Sequence, residues 1–204
     1  MNDCFLRRVL PGIVVLAALC MSGCNDEALT TQYYALDIER RAVPLQKESH
    51  IHLEVRRLSV DSVYAAKELT YRQGSLAYQI DHYHQLVIAP GQMITEKTRT
   101  WLMHSGLFAR VLDPGSLSVP THCLEGNVTA LYGDFRDKTA PAAVVAMRLF
   151  LIDPKPANES ILHSKAYETR IPLETFDAQG LVAGYNTGIE QILIQLENDL
   201  SEIL

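Results

Sequence analysis

The chain has 204 residues, enough for one domain with a sizeable core and marginal for two. Its formal net charge of −6 excludes a nucleic-acid partner bound over a broad basic surface, because phosphates would be repelled by it. Beyond Arg7-Arg8 near the N-terminus, Arg40-Arg41 and Arg56-Arg57 are the adjacent basic pairs, too small to be patches.

The first element is a targeting segment. Arg7 and Arg8 precede the apolar run Val9–Met21, which Pro11 and Gly12 interrupt. A membrane span needs roughly 20 apolar residues, so the run predicts the hydrophobic region of an export signal. Small residues Ser22 and Gly23 stand directly before Cys24, where a processing protease needs an extended, unhindered chain. The expected organisation is a signal peptide over residues 1–23, a short polar tether over 24–32 and one domain over 33–204. Removal of Asp3, Arg7 and Arg8 with the signal takes the net charge from −6 to −7. Of the four cysteines, Cys4 and Cys20 fall in the discarded segment and Cys24 at the cut. Cys123 is then left without an intrachain partner, and its apolar surroundings predict a buried thiol.

Along the domain, Tyr33–Asp37 predicts a first strand. Ile51–Val60 alternates, with Ile51, Leu53 and Val55 on one face. Leu69–Arg72 and Leu76–Ile80 predict a hairpin around Gln73-Gly74-Ser75. Gln85–Ile88 is a short apolar run that Pro90-Gly91 is expected to stop. Met93–His104 predicts a helix ended by Ser105-Gly106, and Leu107–Leu112 a strand. Leu124–Phe135, Val144–Ile152 and Ile161–Ile171 predict a meander, with turns at Arg136–Lys138 and Pro154–Asn158. Ala178, Leu181, Val182, Tyr185, Ile189, Ile192, Leu193, Leu196 and Leu200 repeat at helical spacing and predict a long C-terminal amphipathic helix. Gly180, Gly184 and Gly188 lie four apart in it, which predicts close packing on the sheet. The fold class is therefore α/β, an antiparallel or mixed sheet with helices on one face.

Catalytic signals are sparse. His50-Ile51-His52 and Asp81-His82-Tyr83-His84 place imidazoles two apart, where a strand puts both on one face. A zinc site needs a third ligand and supporting groups, so the expectation is no metal and no cofactor. No nucleophile elbow, phosphate loop or dinucleotide fingerprint occurs. The residues alone predict a non-enzymatic envelope domain; the alternatives are a metal-dependent hydrolase using Asp81, His82 and His84, or a purely structural lipoprotein.

Several motifs, in order, carry a resemblance. Met21-Ser22-Gly23-Cys24 resembles a bacterial lipobox, with Met where Leu is usual. Tyr33-Tyr34-Ala35-Leu36, Leu69-Thr70-Tyr71-Arg72, Ala89-Pro90-Gly91, then Leu102, Ser105, Gly106, Phe108 and Val111, and finally the closing helix resemble the auxiliary lipoproteins of ABC-type transporters, the PqiC-like group. The sequence departs from that pattern at Leu86-Val87-Ile88, where an aromatic residue is common. The resemblance implies lipidation of Cys24, with acyl chains contributing roughly 0.8 kcal/mol per buried CH₂. It implies an accessory role beside Mce-domain and ABC transporter subunits that move phospholipid or another hydrophobic substrate between membranes, with a homo-oligomeric ring as one form of docking. Asn25 follows Cys24, and lipoprotein sorting then implies an outer-membrane anchor facing the periplasm; Asp26 keeps the inner membrane as the alternative.

Overall fold

The computed structural model describes residues 30–45, 49–154 and 160–204. The signal peptide, Cys24 and the rest of the expected tether up to residue 29 lie outside the described residues, as does most of the Pro154–Asn158 turn. The described chain from Thr31 onward forms one compact unit built on a nine-stranded mixed sheet and two helices.

The centre of the sheet is β7, His122–Asp134. Thirteen residues at roughly 3.3 Å each give it a length of about 43 Å. That length serves three strands in succession along one side, all parallel to it. β2 (His52–Val55) pairs at His122–Leu124, β3 (Ser59–Val60) at Asn127–Val128, and β4 (Glu68–Arg72) at Gly133–Asp134. On its other side β7 pairs antiparallel with β8 (Ala142–Asp153), and β8 with β9 (Ser160–Pro172). The predicted meander is thus present, and the first half of the chain returns to it in parallel.

The single strand expected over Ile51–Val60 is two. A continuous strand would send one of the neighbours Arg56 and Arg57 into the core. The chain instead turns between β2 and β3, which leaves both arginines exposed and buries Leu58. The Leu58 N–H donates to Thr95 Oγ1 at 2.9 Å, so the break is satisfied. Leu53 and Val55 face inward as their alternation predicts, with Ile51 half-buried before them.

β1 is Gln32–Tyr34, shorter than expected, and lies parallel to β5 (Tyr78–Leu86). Beyond it Leu36 and Ile38 are buried. The hairpin β4–β5 forms as predicted, but β5 runs on for nine residues and absorbs the segment around His82 and His84. Pro90 does not merely stop the preceding run. It is the first residue of α1, Pro90–Met103, where its missing N–H costs nothing. The helix therefore starts three residues earlier than the periodicity indicates. Gly106, at φ +77°, ends the turn after it, and a side chain there would collide with the backbone of Leu45. The strand expected at Leu107–Leu112 shrinks to β6, Arg110–Val111.

α2, Ala178–Ile203, is capped by Asp177, whose carboxylate accepts the Gly180 N–H at 2.7 Å. It lies on β8 and β9, while α1 lies on β2, β3 and β6, and the two helices touch. Leu181, Ile189, Ile192, Leu193, Leu196 and Leu200 are fully buried, each contributing roughly 1.5–3 kcal/mol against exposure. The predicted glycine packing on the sheet is present at Gly184 and Gly188, where a Cβ on Gly184 would sit 2.6 Å from that of Ala143 in β8, whereas Gly180 packs on Thr175, between β9 and the helix. Among the described residues no helix is long and apolar enough to cross a membrane.

A buried ionic clasp joins three segments. Glu197 of α2 accepts Arg40 Nε at 2.9 Å, Arg40 Nη2 at 2.8 Å and Trp101 Nε1 at 2.8 Å. Arg40 donates further to the carbonyls of Ala42 and Val43. The chain after β1 is thereby pinned to both helices.

Candidate interaction surface

Register decides which side chains share a face. Tyr71 pairs with Gly133, and Arg72 with Asp134. Gly133 points at Leu181 of α2, so Tyr71 and Gly133 lie on the helix side. Arg72, Asp134 and, two residues before it, Tyr132 lie on the opposite side. Tyr132 pairs with Val144, which pairs with Arg170; Arg72 pairs with Tyr78. Four strands, β5, β4, β7 and β9, therefore bring Tyr78, Arg72, Tyr132, Asp134 and Arg170 to one end of the sheet face opposite the two α-helices.

Aromatic rings organise this end. Tyr64, from the 3-10 turn Ser62–Tyr64, stacks on Tyr132 with centroids 5.7 Å apart and 20° between planes. Tyr78 meets Tyr132 edge-on at 6.0 Å. The Arg72 guanidinium lies 5.6 Å from the Tyr78 ring centroid and 5.9 Å from that of Tyr132. It also donates to the carbonyls of Gly74 at 3.3 Å and Ser75 at 2.9 Å, which fixes it against the hairpin turn. Burial first, then the neighbouring Tyr78, pushes the Tyr64 hydroxyl well above its ordinary value, so it stays a neutral donor. Val63, Leu76 and Ile80 around the rings are exposed.

Beside the rings, Asp134 is buried and gathers two arginines. Arg136 donates from Nε at 2.9 Å and Nη2 at 2.6 Å, and Arg170 Nη1 donates to the same carboxylate. Arg136 above all, against the opposing effect of burial, holds the Asp134 carboxyl well below the usual carboxylate range. Both guanidiniums remain about half exposed. Charge-assisted bonds to a buried carboxylate pre-orient them without hiding them.

The sequence-derived candidates fall elsewhere. Cys24 lies outside the described residues. Asp81, His82 and His84 are in β5, but the register with β4 slips between Asp81 and Gln85, so the alternation rule does not govern the two histidines. Asp81 is committed locally: Oδ1 accepts the N–H groups of Tyr83 at 3.0 Å and His84 at 3.2 Å, and Oδ2 meets His84 Nδ1 at 2.8 Å. His52 is in β2, whereas His50 precedes it. Among the described residues no three His, Cys, Asp or Glu side chains group as metal ligands. Cys123 is fully buried, as its setting predicts; burial first, then a bond to Glu54 at 3.4 Å, pushes its thiol up to about 11. Sequence reasoning missed the Tyr/Arg face. Tyr71-Arg72 is the one signal of it, and even there the functional neighbour is Arg72, whose side chain leaves the core.

No family model matches the chain, and no curated protein matches it in sequence. The fold is shared with solved structures. A crystal structure of protein XCC0632 from Xanthomonas campestris, of the DUF330 family, aligns with TM-score 0.67 at 17% identity, over 81% of this chain and 92% of its own. A crystal structure of an uncharacterized protein aligns with TM-score 0.66 at 15% identity, over 84% of this chain and 99% of its own. These likenesses show a shared α/β fold. PelC of Paraburkholderia phytofirmans, a dodecamer, aligns with TM-score 0.44 at 14% identity, over 78% of this chain and 95% of its own. At that distance it bears on neither the function nor the assembly of this chain.

Proposed function

We propose that the protein is a lipid-anchored accessory of an ABC/Mce-type transport system, held by Cys24 at the outer membrane and facing the periplasm. Its contribution is docking without catalysis, and the substrate moved is phospholipid or a similar hydrophobic molecule. The observation that carries the docking role is the helix-free end of the sheet. Three packed tyrosines and three arginines gather there on the strands and the turns that flank them, with apolar Val63, Leu76 and Ile80 also exposed. Tyrosine and arginine are the side chains that dominate binding energy in protein interfaces. The lipobox at Met21–Cys24 and the ordered motifs of the auxiliary lipoproteins support the transport role, and the likeness to a DUF330 fold is in keeping with them. An anchored domain meets a membrane-bound partner at high effective concentration, so the interface need not be strong.

The test is site-specific photocrosslinking in intact cells from a benzophenone side chain at Tyr78, with adducts identified by mass spectrometry. The expected adduct contains an Mce-domain or ABC transporter subunit. Adducts with cell-wall proteins alone, or none at all, would remove the transport role.

A further inference from the structure

The charge of the Tyr/Arg end runs against that of the chain. The protein carries a net charge of −6, yet this end gathers Arg72, Arg136, Lys138 and Arg170 against Asp134, Asp137 and Glu168, the last exposed two residues before Arg170 on the same face of β9. Asp134 cannot neutralise both arginines that it holds. Asp137 is occupied in its own turn, where it accepts the Thr139 N–H at 2.9 Å and the Thr139 hydroxyl at 2.6 Å. One unit of positive charge is left over beside three aromatic rings, on a chain whose net charge is −6. Since self-repulsion would favour dispersing charge over any surface, a basic island on an acidic protein marks the sign of what it meets.

We propose that this face recognises an acidic polypeptide segment of its partner, laid across the strands with carboxylates against Arg72, Arg136 and Arg170 and an apolar side chain against the tyrosines. The inference rests on the docking role above and adds the partner's chemistry. Geometry favours a polypeptide over a lipid headgroup. Arg72 and Arg170 stem from strands three spacings apart and two residues out of row, about 16 Å at most. An extended segment covers that distance in about five residues, so two acidic side chains on it can engage both ends of the cluster. The guanidiniums of Arg136 and Arg170 are already oriented by Asp134, and that of Arg72 by Tyr78, Tyr132 and the hairpin carbonyls. Little side-chain freedom is lost on binding.

The experiment uses the full chain in detergent micelles and measures anisotropy of fluorescein-labelled poly-L-glutamate, with phosphatidylglycerol vesicles and inorganic phosphate as competitors. The expected result is saturable binding of poly-L-glutamate that weakens as salt rises and is weakened at least tenfold in R136Q/R170Q. Because that variant leaves Asp134 without its partners, R72Q serves as the second variant; it leaves the Asp134 pair intact and is expected to weaken binding at least threefold. No binding to poly-L-glutamate, or equal binding by wild type and R72Q, overturns the proposal. So does displacement by phosphatidylglycerol vesicles at lower charge concentration than the polymer's own, which would make the face a lipid site. Self-association through this face, seen as a change of oligomeric state in R72Q, would also overturn it. Failure here leaves the crosslinking outcome at Tyr78 untouched, and a transport-subunit adduct with no acid recognition would separate the two ideas.

Discussion

Replacing Arg40 with alanine is expected to cost far more than losing a surface ion pair. The Arg40 side chain is 2% exposed, and its guanidinium makes two of the three bonds that Glu197 receives. In Arg40→Ala the Glu197 carboxylate stays buried with Trp101 Nε1 as its one remaining donor from the clasp. Breaking a buried pair in this way costs about 3–5 kcal/mol, because an uncompensated charge is left in low dielectric. For a domain of this size each kcal/mol lowers Tm by roughly 2–4 °C, so a fall of about 6–20 °C is expected. Trp101 is the only tryptophan in the chain and sits on the clasp, so its fluorescence during urea unfolding reports both the transition and the local loss. The companion Arg40→Met/Glu197→Gln removes both charges and keeps a carbonyl for Trp101. It should recover at least half of the lost stability. A cost below about 1 kcal/mol for Arg40→Ala, or a double variant no better than the single one, would refute the view that desolvated charge governs this site.

Three further outcomes follow from the structure and one from the sequence. The Asp134 carboxyl sits below its ordinary value of 3.8 in the folded protein, so it contributes stability above that pH and loses it as pH falls toward the folded value. Unfolding free energy should therefore drop steeply below about pH 4, and Asp134→Asn should flatten that slope while being less stable at pH 7. Gly184→Ala sets a helix-propensity gain of about 1 kcal/mol against a Cβ placed 2.6 Å from the Ala143 Cβ. Ala143 is fixed to a central strand and cannot yield, so net destabilisation by about 1–2 kcal/mol is expected by denaturant titration; a stabilised variant would show that the helix–sheet contact is looser than described. Cys123, buried and with its thiol pushed up to about 11, should resist iodoacetamide in the native state at pH 8 and react once urea unfolds the chain. Rapid native labelling would contradict that burial. Cys24→Ser should leave an unprocessed, non-acylated precursor on metabolic labelling with palmitate; processing at the same bond would disprove the lipobox.

Much of the scaffold was legible before the coordinates. The long strands around Leu124–Phe135, Val144–Ile152 and Ile161–Ile171 and the helix from Ala178 are strongly periodic over ten residues or more. A period of 2 or 3.6 is a local property that needs no knowledge of the partner. Short elements were less so. Leu107–Leu112 is apolar, yet two residues of it pair, Arg110 with His52 and Val111 with Leu53, and that extent depends on a partner strand more than 50 residues away in the chain. The break at Arg56-Arg57 follows from which face β7 offers, a condition absent from the local sequence. Likewise Pro90 punctuates in either direction, and the buried face of α1 against Leu58 and Leu36 makes it a beginning.

The sequence by itself determined the export signal and Cys24 as expectations, the α/β class, and the buried face of the closing helix. Each depends on residues near one another in the chain. The tertiary structure alone decided the parallel alignment of β2, β3 and β4 along one side of β7, and with it the Tyr/Arg face. Arg170 reaches Asp134 across 36 residues of sequence, and Tyr64 stacks on Tyr132 across 68, only because antiparallel and parallel registers fix those rows on the same side of the sheet. A slip of one residue in either register would send these side chains to the opposite face, and no local pattern records that choice.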